Sequence, residues 1–150
     1  MNRKYTRKDY INLINKVRAA IPDCGISTDI IVGHPGEGDE EFKDTVKLAE
    51  EIKFSRLHIF TFSKRDLTAA ADFPDQVNAK TKKERYGILN KTRAKLMRQF
   101  AEKYLGYEVE ILVEQKGEGL TSNYIRARFD DPRNSSGQLK KILLQPKNLN

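Results

Sequence analysis

The nine residues from Asp29 to Glu37, DIIVGHPGE, combine glycines and a carboxylate that could contact a ligand. An apolar run ends at Gly33, and a proline–glycine turn follows. Glycine has no Cβ, so its main chain can approach a bound molecule closely. The same pattern also occurs at an ordinary turn between a strand and a helix. The residues alone leave both interpretations open.

Three further side chains could carry chemistry, namely Cys24, His34 and His58. For Cys24 we favour a small buried residue over a reactive thiol. One thiol cannot form an internal disulfide, which favours the cytoplasm, and cannot hold a zinc ion or an iron–sulfur cluster. His34 is interpreted as an exposed turn residue in preference to a ligand contact. For His58, a site-facing and a half-buried sheet position are equally plausible.

The composition favours a folded chain with an anionic partner. Of 150 residues, 38% are hydrophobic and 33% are charged, and the net charge is +7. This balance argues against disorder and is compatible with nucleic acid binding. No apolar run approaches the roughly 20 residues of a membrane span, and the N-terminus is too polar for a secretory signal.

Helices and strands alternate in the first part of the chain, which is typical of parallel strands joined by helices. Thr6 and Asp9 have the spacing of a helix start. The consecutive apolar residues Ile30–Val32 predict a strand buried on both faces. The four predicted elements are a helix over Thr6–Ile21, a strand over Gly25–Gly33, a helix over Asp39–Lys53 and a strand over Arg56–Ser63.

A loop from Lys64 to Asn78 precedes a long helix that is predicted to end near Leu105. A capping box over Thr81–Glu84 predicts its start. Between Lys80 and Lys103 the sequence has nine Lys or Arg and two Asp or Glu. We interpret this run as a solvated face in preference to a nucleic-acid contact.

After Gly106 the apolar period changes from helical to alternating, which predicts a small antiparallel β module over Gly106–Pro146. Turns are predicted at Lys116–Gly119 and Asp130–Gly137. Tyr124, Arg126 and Arg128 alternate with apolar residues, so one face would present an aromatic ring and two cations. Such faces hold RNA in β modules, although a generic β domain is an alternative.

Several segments occur in an order that resembles the C-terminal part of the radical-SAM tRNA methylthiotransferases, over nearly the whole chain. The segment HIFTFSKR, starting at His58, is most similar to the branch that acts on threonylcarbamoyladenosine. The segments are STDIIVGHPGEGDEEF, RLHIFTFSKRDLTAAADFPDQV, KKERYGILNKTRAKL, LGYEVEILVEQ and NYIRARF.

The resemblance implies the end of a partial (β/α) barrel over residues 1–105, followed by a small antiparallel β barrel, a TRAM-like RNA-binding domain, over residues 106–150. It also implies a full-length enzyme that uses S-adenosylmethionine and 4Fe-4S clusters to add a methylthio group to an adenosine next to the anticodon of tRNA. The family's cluster cysteines are absent from this chain, so we expect the chain alone to be inactive and to hold no cofactor. The alternative is a stand-alone RNA-binding module.

The resemblance also implies cofactor-binding and RNA-binding residues, and it implies no catalytic or metal-ligating residue in this chain. tRNA is the expected partner, a membrane is not, and exposed strand edges of a truncated barrel would favour self-association. The family's usual phenylalanine in the turn is His34 here. The cofactor-binding residues would be Ile31, Val32, Gly33, Pro35, Gly36, Glu37 and His58, and the RNA-binding residues Arg65, Tyr124, Arg126 and Arg128.

Overall fold

The computed structural model describes residues 3–130 and 136–149. The chain divides into two compact units, one comprising Ile26–Met97 and the other Met1–Gly25 with Arg98–Asn150. The sequence instead predicts one boundary near Gly106. The functional domain ranges 1–105 and 106–150 stay a prediction.

The predicted order of elements is largely confirmed. Short 3₁₀ turns occur at Ala69–Ala71 and Pro146–Asn148. The helices are α1 (Arg7–Ala20), α2 (Asp39–Ile52) and α3 (Ala79–Glu102). The strands are β1 (Ser27–Val32), β2 (Arg56–Thr61), β3 (Glu108–Gln115), β4 (Glu118–Thr121), β5 (Arg126–Arg128) and β6 (Leu139–Leu143).

Strands β1 and β2 pair in parallel, from Ser27 opposite Arg56 to Val32 opposite Thr61, and α2 connects them. One face of this pair is buried, and its members include Val32, Leu57 and Ile59. In α2, the residues Phe42, Ala49 and Ile52 are also buried. The other face presents Ile31 and Phe60, which are 40% and 53% exposed. The prediction that β1 is buried on both faces is therefore wrong for this chain, because only one face is covered.

The start of α1 is predicted correctly from the sequence. Thr6 is the N-cap, and its Oγ1 accepts a hydrogen bond from the Asp9 amide at 3.2 Å. The Asp9 carboxylate accepts in return from the Thr6 amide at 2.9 Å. Hydrogen bonds from the Thr6 side chain and amide lower the pKa of Asp9 below its ordinary value. This reciprocal capping satisfies main-chain donors that the helix itself leaves unpaired.

The start of α3 differs from the sequence prediction. The helix begins at Ala79, and the Asn78 Oδ1 atom accepts a hydrogen bond from the Thr81 amide at 2.9 Å. Asn78 therefore caps the helix, and the predicted capping box at Thr81 and Glu84 is wrong. The helix ends at Glu102, three residues before the predicted end. None of the helices in the described residues combines the length and apolar content that a membrane span requires.

The β module is a four-stranded antiparallel sheet with the order β5-β4-β3-β6. Its strand β4 was not predicted, because the sequence places a turn over Lys116–Gly119. Gly117, with φ of +75°, makes the tight connection between β3 and β4. The predicted turn at Asp130–Gly137 lies largely outside the described residues. The buried core consists of Ala101, Ile111, Val113, Ile125, Ala127, Phe129 and Leu144.

Asn148 joins the end of the chain to strand β5. Its side chain is buried, at 8% exposure. Its Oδ1 atom accepts a hydrogen bond from the Gln145 amide at 2.7 Å, and its Nδ2 atom donates to the Arg128 carbonyl at 2.7 Å. The turn after β6 is thus tied by side-chain hydrogen bonds to the strand at the far edge of the sheet. A closed TRAM barrel stays a prediction.

Candidate functional site

The turn between β1 and α2 is shaped by two glycines in the left-handed backbone region. Gly33 has φ of +73° and Gly36 has φ of +79°. The Gly36 amide donates to the Asp75 carbonyl at 2.9 Å, and the Glu37 amide donates to the His34 carbonyl at 2.9 Å. Hydrogen bonds within the turn and to a neighbouring loop therefore hold its shape.

A buried ion pair braces the same turn. The Glu37 Oε2 atom accepts from the Gly33 amide at 2.5 Å and from the Arg85 guanidinium at 2.8 Å. Arg85 also donates to the Glu37 carbonyl at 2.8 Å and to the Asp39 carboxylate at 2.9 Å. The side chains of Arg85 and Glu37 are 7% and 11% exposed. The Glu37 carboxylate thus connects the turn to α3.

Sequence reasoning missed Arg85. Burial opposes its charge, but hydrogen bonds to Asp39 and Glu37 outweigh that effect, and the pKa of the guanidinium is raised above its ordinary value. Arg85 lies four residues before Leu89, which is fully buried, and on the same helical stripe. The position of Arg85 on a stripe of apolar residues was a signal in the sequence, because a buried charge requires a partner.

Gly33 is required by the packing of Lys82. A Cβ atom at Gly33 would clash with the Lys82 Cγ atom. The Lys82 ammonium donates to the Phe62 carbonyl at 3.0 Å and lies 5.2 Å from the centre of the Phe62 ring. Around Gly36, by contrast, apart from its chain neighbours no described residue lies within 4 Å of such a Cβ. Gly36 is therefore where the main chain of the turn is open, whereas Pro35 is buried.

His34 is half-buried, and the prediction of an exposed turn residue is wrong. Its ring packs edge-on against Phe62 at 5.3 Å and Phe73 at 6.3 Å between ring centres. Its Nδ1 atom lies 2.9 Å from the Pro35 carbonyl oxygen. The aromatic contacts provide a structural role that the sequence did not reveal.

The exposed face of β1 and β2 brings together only some of the predicted cofactor residues. Asp29 is opposite His58 and Ile31 is opposite Phe60, and side chains two residues apart on a strand share a face. Ile31 and the half-buried His58 are thus on this face. Val32 is on the other face at 0% exposure, so its side chain belongs to the core.

The predicted RNA-binding residues lie in both units. Arg65 is exposed in the segment after β2, within Ile26–Met97, and its carbonyl accepts from the Thr68 hydroxyl at 2.8 Å. Arg126 and Arg128 are exposed on β5, in the other unit. Tyr124, also in that unit, is 66% exposed. It precedes β5 and has φ of +67°, so it belongs to a turn and does not continue the strand.

The two arginines of β5 are paired with carboxylates. The Arg126 guanidinium contacts the carboxylates of Glu118 and Glu114, the latter at 3.0 Å. The Arg128 Nε atom lies 3.8 Å from Glu118. The hydrogen bond with Arg126 holds the pKa of Glu118 below its ordinary value, and the same bond raises the pKa of Arg126. An RNA phosphate would have to compete with these carboxylates.

No group of three or more His, Cys, Asp or Glu residues that could hold a metal ion occurs within residues 3–130 and 136–149. Cys24 is half-buried, and its thiol lies 3.8 Å from the Gly25 carbonyl oxygen. The sequence favours a small buried residue, whereas Cys24 is half-buried.

These features define a class of chain in which a parallel βαβ unit with a braced glycine turn is followed by an antiparallel β module. The sequence profile described as "Radical SAM superfamily" matches residues 1–49. The tRNA-2-methylthio-N(6)-dimethylallyladenosine synthase of Acetivibrio thermocellus is 46% identical over 114 residues, which cover 76% of this chain and 24% of that protein. The synthase of the same name from Geobacillus kaustophilus is 38% identical over 149 residues, which cover 95% of this chain and 28% of that protein.

The chain is therefore similar to enzymes of the radical-SAM methylthiotransferase family. The chain spans about a quarter of the length of these two relatives, at 24% and 28%. The similarity is therefore to a segment of such enzymes.

Proposed function

We propose that this chain is a segment of an enzyme that adds a methylthio group to an adenosine next to the anticodon of tRNA. The observation that carries the proposal is the similarity to tRNA methylthio-synthases over 76% to 95% of the chain. The βαβ unit would form part of the S-adenosylmethionine site, and the β module would contact the tRNA. When bound to the full-length enzyme, S-adenosylmethionine and 4Fe-4S clusters would supply the radical, the sulfur and the methyl group.

The residues of the βαβ unit fit a nucleoside cofactor of this kind. Ile31 and Phe60 offer an uncovered apolar surface, 40% and 53% exposed, on which an adenine ring can pack. The main chain at Gly36 is open, because apart from its chain neighbours no described residue lies within 4 Å of the position that a Cβ would take. Asp29 and His58, opposite each other on the same face, add polar groups that can orient a ligand.

The parts of the turn have distinct roles in this proposal. Gly36 would present its main chain to the cofactor, whereas Glu37 would act by holding the turn through Gly33 and Arg85. Val32 would contribute to the core and not through a side-chain contact. Pro35, buried in the turn, would restrict its backbone.

Two substituents on N6 of the target adenosine are candidates. The printed names of the relatives refer to dimethylallyladenosine. The segment HIFTFSKR, from His58 to Arg65, favours threonylcarbamoyladenosine. We give priority to dimethylallyladenosine, because its support comes from long alignments and not from a single segment.

Nucleoside analysis of tRNA tests the proposal. The gene that encodes this chain would be deleted, and tRNA digests would be compared by liquid chromatography and mass spectrometry with those of the parent strain and of the complemented strain. We expect 2-methylthio adenosines to disappear and their precursor to accumulate. Accumulation of dimethylallyladenosine or of threonylcarbamoyladenosine identifies the substrate. Unchanged methylthio nucleosides in the deletion strain would contradict the proposal.

The isolated chain tests the alternative of a stand-alone RNA-binding module. The sequence has one cysteine, so anaerobic reconstitution with iron and sulfide should give no stoichiometric four-iron cluster on this chain. An RNA-binding module would bind tRNA while deletion of its gene left the methylthio nucleosides unchanged. Measurement of tRNA binding by the chain and nucleoside analysis of the deletion strain together distinguish a segment of an enzyme from a binding module.

A further inference from the structure

A cavity of about 440 Å³ opens in the β module between β5, β6 and the last 3₁₀ turn. Its wall includes Arg128 and Phe129 from the β5 side, Lys140 from β6, and Lys147 from the turn. A nucleotide-sized ligand fits a space of this order. The sequence analysis did not single out Lys140 or Lys147.

Positive charge predominates in this cavity. Among the described residues, Lys140, Lys147 and Arg128 line it against one carboxylate, Asp130. Arg128 also lies 3.8 Å from Glu118, so the two lysines are the principal cations of the cavity. The Lys140 ammonium lies 4.9 Å from the centre of the Phe129 ring, so its position is fixed over an aromatic surface. A cation held near an anion site loses little conformational entropy when it binds.

The floor of the cavity is also held in place. Asn148 is buried and ties the turn that carries Lys147 to the Arg128 carbonyl at 2.7 Å. Its second hydrogen bond, from the Gln145 amide at 2.7 Å, fixes the start of the same turn. The turn and β5 therefore keep their separation.

The outward face of the sheet is less suited to an anion. Arg126 contacts the carboxylates of Glu114 and Glu118, and Lys141 lies 3.5 Å from Glu108. Carboxylates on this face would repel phosphates and compete for its cations. The cavity has a favourable charge balance that this face does not have.

We propose that the cavity lined by Lys140, Lys147 and Arg128 binds a phosphodiester of RNA. This inference rests on the proposed function, since it assigns the tRNA contact of the β module to a site away from Tyr124 and Arg126. Lys140 and Lys147 contact the phosphate oxygens, and the exposed Gln145 amide is in reach of the adjoining sugar or base. Lysine ammonium groups contact phosphates as point charges and bind them with little dependence on base sequence.

Fluorescence anisotropy with an unmodified tRNA anticodon stem-loop tests the site. The full chain would be compared with three double variants, each of which removes two positive charges. Lys140→Gln with Lys147→Gln alters the cavity. Arg126→Gln with Lys141→Gln alters the outward face of the sheet and spares the cavity wall. Lys43→Gln with Lys47→Gln is the matched control, because both lysines are exposed on α2 and neither lines the cavity.

We expect the cavity variant to weaken binding by about tenfold and to lower the salt slope by roughly 1.4 to 1.8, as for two lost phosphate contacts. The control should change both quantities much less. Circular dichroism would confirm that each variant is folded, and the glutamine side chain preserves the alkyl contact of Lys140 with Phe129.

If the cavity variant binds as tightly as the wild type while the variant of Arg126 and Lys141 loses affinity, the inference is wrong and the outward face is the RNA contact. The absence of RNA binding by the wild-type chain would also overturn it. Neither result would affect the nucleoside analysis of the deletion strain, which alone decides the proposed function.

Discussion

The guanidinium of Arg85 lies 2.8 Å from the carboxylate of Glu37, and both side chains are almost fully buried. Removing one partner of such a pair leaves the other charge buried without compensation. We expect Arg85→Met to lower the free energy of unfolding by about 3 to 5 kcal/mol. Urea denaturation followed by circular dichroism would measure the change.

Lys95→Met provides a control for that prediction. Lys95 pairs with Glu50 at 2.9 Å, but the two side chains are 58% and 43% exposed. Exposed pairs contribute about 0 to 1 kcal/mol. The combination of Arg85→Met with Glu37→Gln should recover part of the loss, because no buried charge remains. Equal losses for Arg85→Met and Lys95→Met would contradict a structural role for the buried pair.

The two glycines of the turn should respond differently to alanine. Both have positive φ, which costs about 1 to 2 kcal/mol for a residue with a Cβ. At Gly33 the added Cβ would also meet the Lys82 side chain. Gly33→Ala should therefore be more destabilising than Gly36→Ala in the same denaturation assay. Adding Lys82→Ala should bring the two variants closer, and an unchanged difference would show that the contact with Lys82 is unimportant.

The stability of the β module should depend on pH through Glu118. Its pKa is lowered by the hydrogen bond from Arg126. A lowered folded-state pKa adds stability above the unfolded-state pKa, and this contribution is lost as the pH falls through the folded-state value. Between about pH 6 and pH 3 the wild type should lose more thermal stability than Glu118→Gln. If the wild type and Glu118→Gln lose thermal stability equally across this range, the pH dependence comes from another carboxylate.

Tyr124 should tolerate glycine better than alanine. Its φ of +67° is in the region that glycine adopts without steric cost. Both substitutions remove the exposed ring, so their difference isolates the backbone. Tyr124→Gly should be more stable than Tyr124→Ala by about 1 kcal/mol. Thermal melting gives the comparison, and greater stability of the alanine variant would be inconsistent with the left-handed backbone.

Local patterns predict α1 and the βαβ unit well, because their signals are close in sequence. Thr6 and Asp9 cap α1 as expected, and the consecutive apolar residues of β1 do form a strand beside β2. Strand β4 escaped prediction because its sequence, EGLT, is short and contains glycine. Its existence depends on pairing with β3 and β5, which no local pattern contains.

The candidate site was predicted only in part. The glycine turn was evident from the sequence, but its brace was not, because Arg85 is 48 residues from Glu37 along the chain. The alternation of Arg126 and Arg128 was correct, whereas the carboxylates that occupy them come from other strands. Composition reveals which charges a chain has, and only the fold determines which of them meet.

The connection between the C-terminal turn and β5 depends on the chemistry of one amide group. Asn148 accepts from one main-chain group with its oxygen and donates to another with its nitrogen. Deamidation would leave the accepting half intact and replace the donor with an oxygen that faces the Arg128 carbonyl. Two oxygen atoms at that separation repel each other. A spontaneous ageing reaction at one side chain would therefore weaken the link between the C-terminal turn and β5.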